Sequence, residues 1–313
     1  MTELLVEVNE NIYDMSEIVN SVNFTDKLND GCSKLEFTYN ESDVKITNGC
    51  VVRFTYDDIK FYGRVFKREQ SVKGIVSITA YDQLRYAKGN DTFLSKNDTV
   101  STLVKKMCVY FNFNQGYIAD TLYKLKTTPV DNKAWLDIAY NAISDTLTNT
   151  GVWYALRDEY GLITLRNIDD LKLDLLLGDE SICYNYSHVK SIDDEFYNII
   201  LIDVVSDNAF ENRITKNDTS SIAKYGPMQY YKSLSNKNYN EAQAAQMATE
   251  LLSLYNKEVE TLQLDCIGDT RIRAGNSFLV NISETGIENT RLIVKSVTHS
   301  FIPTHTMSIE VKI

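Results

Sequence analysis

The sequence predicts an α+β chain that is mainly β: two related small β-barrels bracketing an α/β module, with one long helix inside the second barrel segment. Three observations predict it. Apolar residues alternate with period two through residues 1–88 and again through much of 179–313. Residues 89–178 switch to helical spacing. The two β segments also repeat each other's pattern. A length of 313 residues supports two or three domains, and 43% hydrophobic content is enough to bury their cores, which excludes global disorder.

In residues 1–88, Leu4–Val8 opens with a short strand and Lys34–Tyr39 alternates. Asn48-Gly49 marks a turn. Cys50–Tyr56 and Ile59–Lys67 flank Asp57-Asp58 as a hairpin, and Gly74 precedes a further alternating run, Ile75–Tyr81. Short strands at regular spacing read as a small barrel or sandwich. In residues 89–178, Asp98 or Thr99 can cap a helix whose Val100, Leu103, Val104, Met107, Cys108 and Phe111 share one face. A second helix is expected after Pro129, with Asp131 as its cap, a stripe from Trp135 to Leu147 and Gly151 as its stop. Val152–Arg157 and Leu162–Arg166 follow as strands. Leu171–Leu177 leads out to a boundary at Gly178. In residues 179–313, Tyr197–Val205 is a strand and 206–237 read as polar and irregular. A helix runs from about Asn240 to Glu258, within the inserted-helix span 240–258, and Ala244, Ala245, Ala248, Leu251, Leu252, Tyr255 and Val259 form its stripe, read as intrachain core. Strands at Glu260–Cys266, Ser277–Ile282, Thr290–Ser300 and Thr306–Ile313 close the chain.

The repeat aligns Gly49 and the strand after it with Gly275, Val65 with Val297, and Ile78 with Ile309. The offsets are 226, 232 and 231 residues. A duplicated barrel would let three chains present six similar units around a ring, and closed cyclic symmetry is the usual form of an oligomer.

The residues that carry the repeat also carry a family resemblance. Phe61-Tyr62-Gly63-Arg64-Val65 continues to Ile78-Thr79-Ala80-Tyr81-Asp82-Gln83-Leu84-Arg85-Tyr86. Glu195-Phe196-Tyr197-Asn198 is followed by Lys224-Tyr225-Gly226-Pro227-Met228-Gln229. Ile272-Arg273-Ala274-Gly275-Asn276-Ser277 leads to Ser296-Val297-Thr298-His299-Ser300-Phe301 and Met307–Val311. In this order the chain resembles baseplate hub proteins of contractile phage tails and phage-tail-like bacteriocins, of the XkdQ/YqbQ type, which are related to late-control protein D hubs. The resemblance implies a homotrimer with two tail-tube-like barrels per chain, joining a tail tube protein to a central spike protein among other baseplate components. It marks Gly49, Tyr62, Gly63, Val65, Tyr81, Asp82, Tyr197, Asn198, Gly226, Pro227, Gly275, Val297 and His299 as structural motif positions. Some relatives carry a fused lysozyme or peptidase domain, and this chain ends directly after the second β segment.

Composition narrows the function. The 32 Lys and Arg against 43 Asp and Glu give a net charge of −11, spread as −3, −2 and −6 over residues 1–88, 89–178 and 179–313. This is a solvated acidic surface, and it argues against a dedicated duplex-DNA binder. In a ring, the same charge would let DNA pass without adhering. The five cysteines form no CxxC pair and read as reduced, buried small hydrophobes. His299 and His305 stand six apart without nearby further ligands, and His188 stands alone, so no metal is expected. Asp57-Asp58, Asp169-Asp170 and Asp193-Asp194-Glu195 read as solvated turns before they read as a carboxylate pair for glycoside hydrolysis or a calcium site. GxxxxGK[ST], GxGxxG after a strand and GxSxG are absent from the sequence, so no cofactor is expected. The N-terminus lacks signal-peptide character and no run reaches membrane-spanning length. The expectation is a non-enzymatic assembly protein, made in a bacterial cytoplasm and built into a baseplate. The alternatives are a peptidoglycan hydrolase at the tail tip or a host-surface binding module.

Overall fold

The computed structural model describes residues 2–40, 44–72, 74–193, 195–206, 209–235 and 241–313. The chain divides into two compact units, Met1–Ser187 with Gln263–Ile313, and His188–Leu262. It is mainly β, as expected. No helix of the described residues is long and apolar enough to cross a membrane.

The first unit opens with β1 (Thr2–Val8), β2 (Asn11–Asp14), β3 (Val19–Lys27), β4 (Lys34–Asn40), β5 (Val51–Tyr56), β6 (Ile59–Gln70) and β7 (Ile75–Tyr81). All five expected strands stand where the sequence puts them, and Asp57 makes the tight β5–β6 turn with φ of 48°. The β2 and β3 strands were not anticipated. Val19, Val22, Phe24 and Asp26 are the buried positions of β3, and buried Leu28 follows at its exit, so a carboxylate interrupts the apolar alternation.

The α/β module follows, with β8 (Asn90–Ser95), α1 (Val100–Phe111), β9 (Gln115–Ile118), β10 (Thr128–Ala134), α2 (Trp135–Thr150), β11 (Tyr154–Asp158) and β12 (Ile163–Asn167). Thr99 caps α1: its Oγ1 accepts from the Thr102 N–H at 3.2 Å, and the Thr102 hydroxyl accepts from the Thr99 N–H at 2.8 Å. The second helix corrects the sequence expectation. Thr128–Ala134 pairs with β8, and the Asp131 carboxylate accepts from Thr92 across that pair rather than capping a helix. Pro129 is tolerated in this two-stranded edge, and the helix begins at Trp135, whose ring stacks on Phe93 at 4.8 Å. Gly151 ends α2 in the left-handed conformation, as expected.

Lys172–Gly178 is a strand, β13, rather than a lead-out, because it pairs in parallel with Ser277–Ile282. Then β14 (Cys183–Ser191) carries the chain out of the first unit. The second unit holds β15 (Ile199–Ser206), β16 (Ala209–Asn217), α3 (Thr219–Tyr225), β17 (Gln229–Ser235) and α4 (Glu241–Tyr255). The strand β18 (Val259–Ile267) leads back to β19 (Ser277–Ile282), β20 (Ile287–Ser300) and β21 (Thr306–Lys312). Residues 209–235, read as irregular, therefore form two strands and a helix. Their side chains are too polar to show periodicity, but both strands hydrogen-bond to the apolar β15, β16 antiparallel and β17 parallel. The helix α4 ends at Tyr255, short of Glu258, and its expected start at Asn240 lies outside the described residues. Ala244 and Ala248 are fully buried against Ile200, Ile202 and Val204, so this stripe is intrachain core, and Ala245 is only half-buried.

The strand order in the large sheet exposes the duplication. The first half runs β1-β5-β6-β7-β4-β3 and the second β13-β19-β20-β21-β18-β14. Each of these six strands has a counterpart in the same place, although β1 meets β5 antiparallel and β13 meets β19 parallel. Finer marks repeat too. Gly49 and Gly275 both have positive φ, 92° and 86°. Gly49 N–H donates to Val65 C=O as Gly275 N–H donates to Val294 C=O, each at 2.8 Å. Both halves bulge at the residue after that valine, between Val65 and Lys67 and between Val294 and Ser296. Val65 thus corresponds to Val294, a shift of 229 residues, rather than to Val297. The offsets of 226 and 231 at the outer strands hold. The halves join where β3 pairs with β20. The second unit is inserted between β14 and β18, where the first half has only the short turn from β3 to β4.

Candidate functional site: a buried ionic junction

Both halves and the α/β module contribute to one buried cluster of charges in the first unit. Its centre is Asp26 on β3. Asp26 Oδ2 accepts from Arg273 Nε at 2.8 Å and from the Ala274 N–H at 3.3 Å, and Oδ1 accepts from the Ser33 hydroxyl at 2.9 Å. Arg273 Nη1 also donates to the Asp158 carbonyl at 3.2 Å, and the guanidinium lies 5.6 Å from the Phe24 ring centre. Asp82 follows β7 and starts a short 3-10 helix, Gln83–Lys88. Its carboxylate accepts from the Ser33 N–H at 2.8 Å and the Leu84 N–H at 2.9 Å. Asp158 accepts from the Gly161 N–H at 2.6 Å and from Gln83 Nε2 at 3.1 Å. One chain of polar contacts therefore links β3, β7, the module hairpin and the loop before β19.

Burial acts differently on each member. It pushes Asp26 upward, but Arg273, Arg157 and the donated hydrogen bonds outweigh it and hold the carboxylate below its ordinary range. Burial, reinforced by the charge of Asp158, raises Asp82 well above that range. Burial also raises Asp158. Arg157 is depressed to about 10 by burial and then by the like charge of Arg273. Its Nε and Nη2 are buried and make no hydrogen bond among the described residues.

Twelve of the thirteen sequence motif positions fall into three places, and His299 stands apart from them. Tyr62, Gly63, Tyr81 and Asp82 line an open groove of about 350 Å³ with Arg64, Gln83, Tyr86 and Phe111–Phe113. Gly63 has a physical reason to be glycine: a Cβ there would lie 2.2 Å from the Tyr81 carbonyl oxygen. Gly49, Val65, Gly275 and Val297 belong to the repeated strand frame, and both valines are buried. Tyr197, Asn198, Gly226 and Pro227 meet in the second unit. There the buried Asn198 side chain donates to the Gly226 carbonyl at 2.8 Å and accepts from the Met228 N–H at 2.9 Å, clamping the loop that contains exposed Pro227. Tyr197 meets Tyr230 and Tyr255 edge-on.

His299 is fully buried on β20. Its Nε2 lies 2.9 Å from the Ile272 carbonyl, so it donates there, and its Nδ1 accepts from His305 Nε2 at 3.0 Å. Among the described residues, no group of three or more His, Cys, Asp or Glu side chains could hold a metal ion. His188 instead meets Glu260 at 2.5 Å. Burial depresses His299 from 6.5 to about 4. The unfolded chain therefore takes up this proton first. The stability that neutral His299 contributes is fully present above pH 6.5 and lost as pH falls toward 4, by at most about 3 kcal/mol. Raised Asp82 and Asp158 slope the other way, so a difference measurement is needed. The unfolding free-energy gap between wild type and His299→Asn should shrink as pH is lowered from 6.5 to 4. Parallel pH profiles for the two proteins would contradict this.

Sequence reasoning missed Asp26, Asp158 and Arg157 as a cluster and named Arg273 within the Ile272-Arg273-Ala274-Gly275 stretch of the family resemblance. The available signal was Asp26, a carboxylate on an inward position of an alternating run. Its partners are remote in sequence, so no spacing rule points to them.

The geometry can be set beside known proteins. A family model described as YQBQ-like matches residues 22–312. An uncharacterized protein of Bacillus subtilis strain 168, YqbQ, is 29% identical over 257 residues, covering 80% of this chain and 77% of that protein. The fold is shared with the 43 kDa tail protein of prophage MuSo2 from Shewanella oneidensis, at a TM-score of 0.68 and 13% identity, with 99% of this chain and 98% of that one covered. A tail protein from Neisseria meningitidis MC58 gives a TM-score of 0.70 at 13% identity, with 100% and 96% covered. An E. coli protein described as a type VI secretion component, similar in structure to T4 tail proteins, gives 0.56 at 10% identity, with 94% and 73% covered.

Proposed function

The chain belongs to the YqbQ-like family, and from that membership we propose that it is a structural baseplate hub of a contractile injection system. Three copies would form a pseudo-hexameric ring joining the tail tube to the central spike. The observation that carries this reading is the repeated six-strand order with its matching glycine turns and bulges, because threefold symmetry applied to a duplicated chain yields six near-equivalent units. Residues 1–88 and 179–313, the latter completed by β13 and interrupted by the inserted unit, act as the two tube-like parts, and the rest of residues 89–178 acts as the bracketed module. The thirteen motif positions act as structural positions in these parts, with no catalytic role.

The sheet also supplies an edge for ring closure. β2 is exposed along its whole length and ends the sheet path, with Ile12 59% exposed, so a neighbouring copy can pair with it and cover that side chain. Three chains carry a formal charge of −33, three times the −11 of one chain, and a lumen sharing that sign would repel passing DNA.

Cross-linking mass spectrometry on intact tail particles, together with the mass of the isolated ring, tests the proposal. The expected result is three copies per particle, linked to both tube and spike proteins. A particle-bound monomer touching neither would overturn it. Lysis of peptidoglycan in a zymogram by the purified chain would favour the hydrolase, and capture on cell walls in preference to tube protein would favour the host-surface module.

A further inference from the structure

Two of the five cysteines face each other at the base of the insertion. The Ile267 N–H donates to the Ile182 carbonyl at 2.9 Å, and Asn185 Nδ2 donates to Asp265 at 2.9 Å, so β14 and β18 run in opposite directions here. Cys183 and Cys266 each stand one residue from this Ile182–Ile267 contact, and their thiols hydrogen-bond to each other. Facing positions of antiparallel strands hold their Cα atoms about 4.5–5.5 Å apart, within the roughly 4.4–6.8 Å range that a disulfide spans. Both thiols are free, with Cys183 half-buried and Cys266 buried.

We propose that Cys183 and Cys266 are a cross-strand thiol pair that closes to a disulfide on meeting a low-molecular-weight disulfide such as oxidised glutathione. Cys183, the accessible thiol, loses its proton and attacks one sulfur of the oxidant. A sulfur–sulfur bond forms to Cys183, and one reduced thiol leaves. Cys266 then loses its proton and attacks the Cys183 sulfur, releasing the second reduced thiol. Two protein thiols are oxidised and one external disulfide is reduced to two thiols. Interaction with the Cys266 thiol holds Cys183 below the ordinary thiol value despite burial, which favours Cys183 as the attacking group. Elsewhere burial raises Cys32 to about 12 and Cys108 to about 11, which makes both inert. The closed bridge would tie together the two strands through which the chain leaves and re-enters the first unit. The setting for this step rests on the tail reading, since a released particle passes from a reducing cell to an oxidising exterior, but the thiol chemistry does not.

Differential alkylation and peptide mass spectrometry of the full chain, equilibrated in glutathione buffers of graded poise, test the pair. The expected product is a Cys183–Cys266 linked peptide lacking two hydrogens. It should form at a poise at least about tenfold more reducing than the one that puts glutathione on Cys50, because the second exchange is intramolecular. Cys266→Ser should stop the reaction at a mixed disulfide on Cys183, and Cys183→Ser should abolish it. Both thiols remaining alkylatable across the series, or wild type stalling with glutathione on Cys183, would overturn the proposal. Either failure leaves the particle cross-linking result untouched.

Discussion

Replacing Arg273 with Met is expected to lower the unfolding free energy of the first unit by about 3–5 kcal/mol, because removing one partner of a buried ion pair strands the other. Arg273 is the direct cationic partner of Asp26, and the surrounding carboxylates Asp82 and Asp158 are already raised by burial. Without the guanidinium, Asp26 must take up a proton or remain as an uncompensated buried charge. Arg157→Met is the contrasting case. Arg157 is buried too, but its Nε and Nη2 make no hydrogen bond among the described residues, so removing its charge should change stability by no more than about 1 kcal/mol in either direction. Urea unfolding followed by tryptophan fluorescence measures both variants, since Trp135 and Trp153 lie in the first unit. Equal losses for the two arginines would show that the junction is held by packing of the long side chains rather than by the Asp26 pair.

Gly178→Ala should be nearly as damaging, at about 3–5 kcal/mol, by a steric route. Gly178 has φ of 122°, and a Cβ there would lie 1.9 Å from the Asn281 carbonyl oxygen. That oxygen belongs to the β19 residue paired with Gly178 and also accepts from the Asp179 N–H at 2.8 Å. The backbone must therefore move, and the β13–β19 pairing must open. Gly49→Ala is the control, since its φ is 92° but nothing lies within 4 Å of the added carbon, leaving a conformational cost of about 1 kcal/mol. Hydrogen exchange should show lost protection in β13 and β19 for Gly178→Ala alone. Unchanged protection there would mean that the sheet can accommodate the methyl.

The two variants mark the limits of sequence reasoning in this protein. Gly178 was recognisable as punctuation, yet it was read as the end of a segment because a glycine in a turn and a glycine in a close strand contact look alike. Its real neighbour, Asn281, is far along the chain. The α2 start failed for a related reason. Pro129 and Asp131 carry a good local start signal, but pairing with β8 and the Phe93–Trp135 stack overrode it. Residues 209–235 failed because their pairing partner, rather than their own alternation, makes them strands. Of the motif positions, Gly63 and Asn198 acquire physical reasons only once Tyr81, Gly226 and Met228 are beside them.

The mainly β class, most strands, α1, the body of α4 and the existence of a duplication are all legible in the linear order of residues. Each rests on interactions within a few residues: alternation on a pleat, a threonine cap, an alanine stripe, a glycine turn. The tertiary structure alone decided that the two halves share one strand order and one bulge position, that Val65 answers to Val294, and that residues 188–262 form a separate compact unit. It alone assembled Asp26, Asp82, Asp158, Arg157 and Arg273 and set Cys183 opposite Cys266. The physical reason is range. A strand's periodicity records which face is buried, whereas its partner is chosen by hydrogen bonds and charges across dozens to hundreds of residues, where one sequence read alone carries no spacing signal.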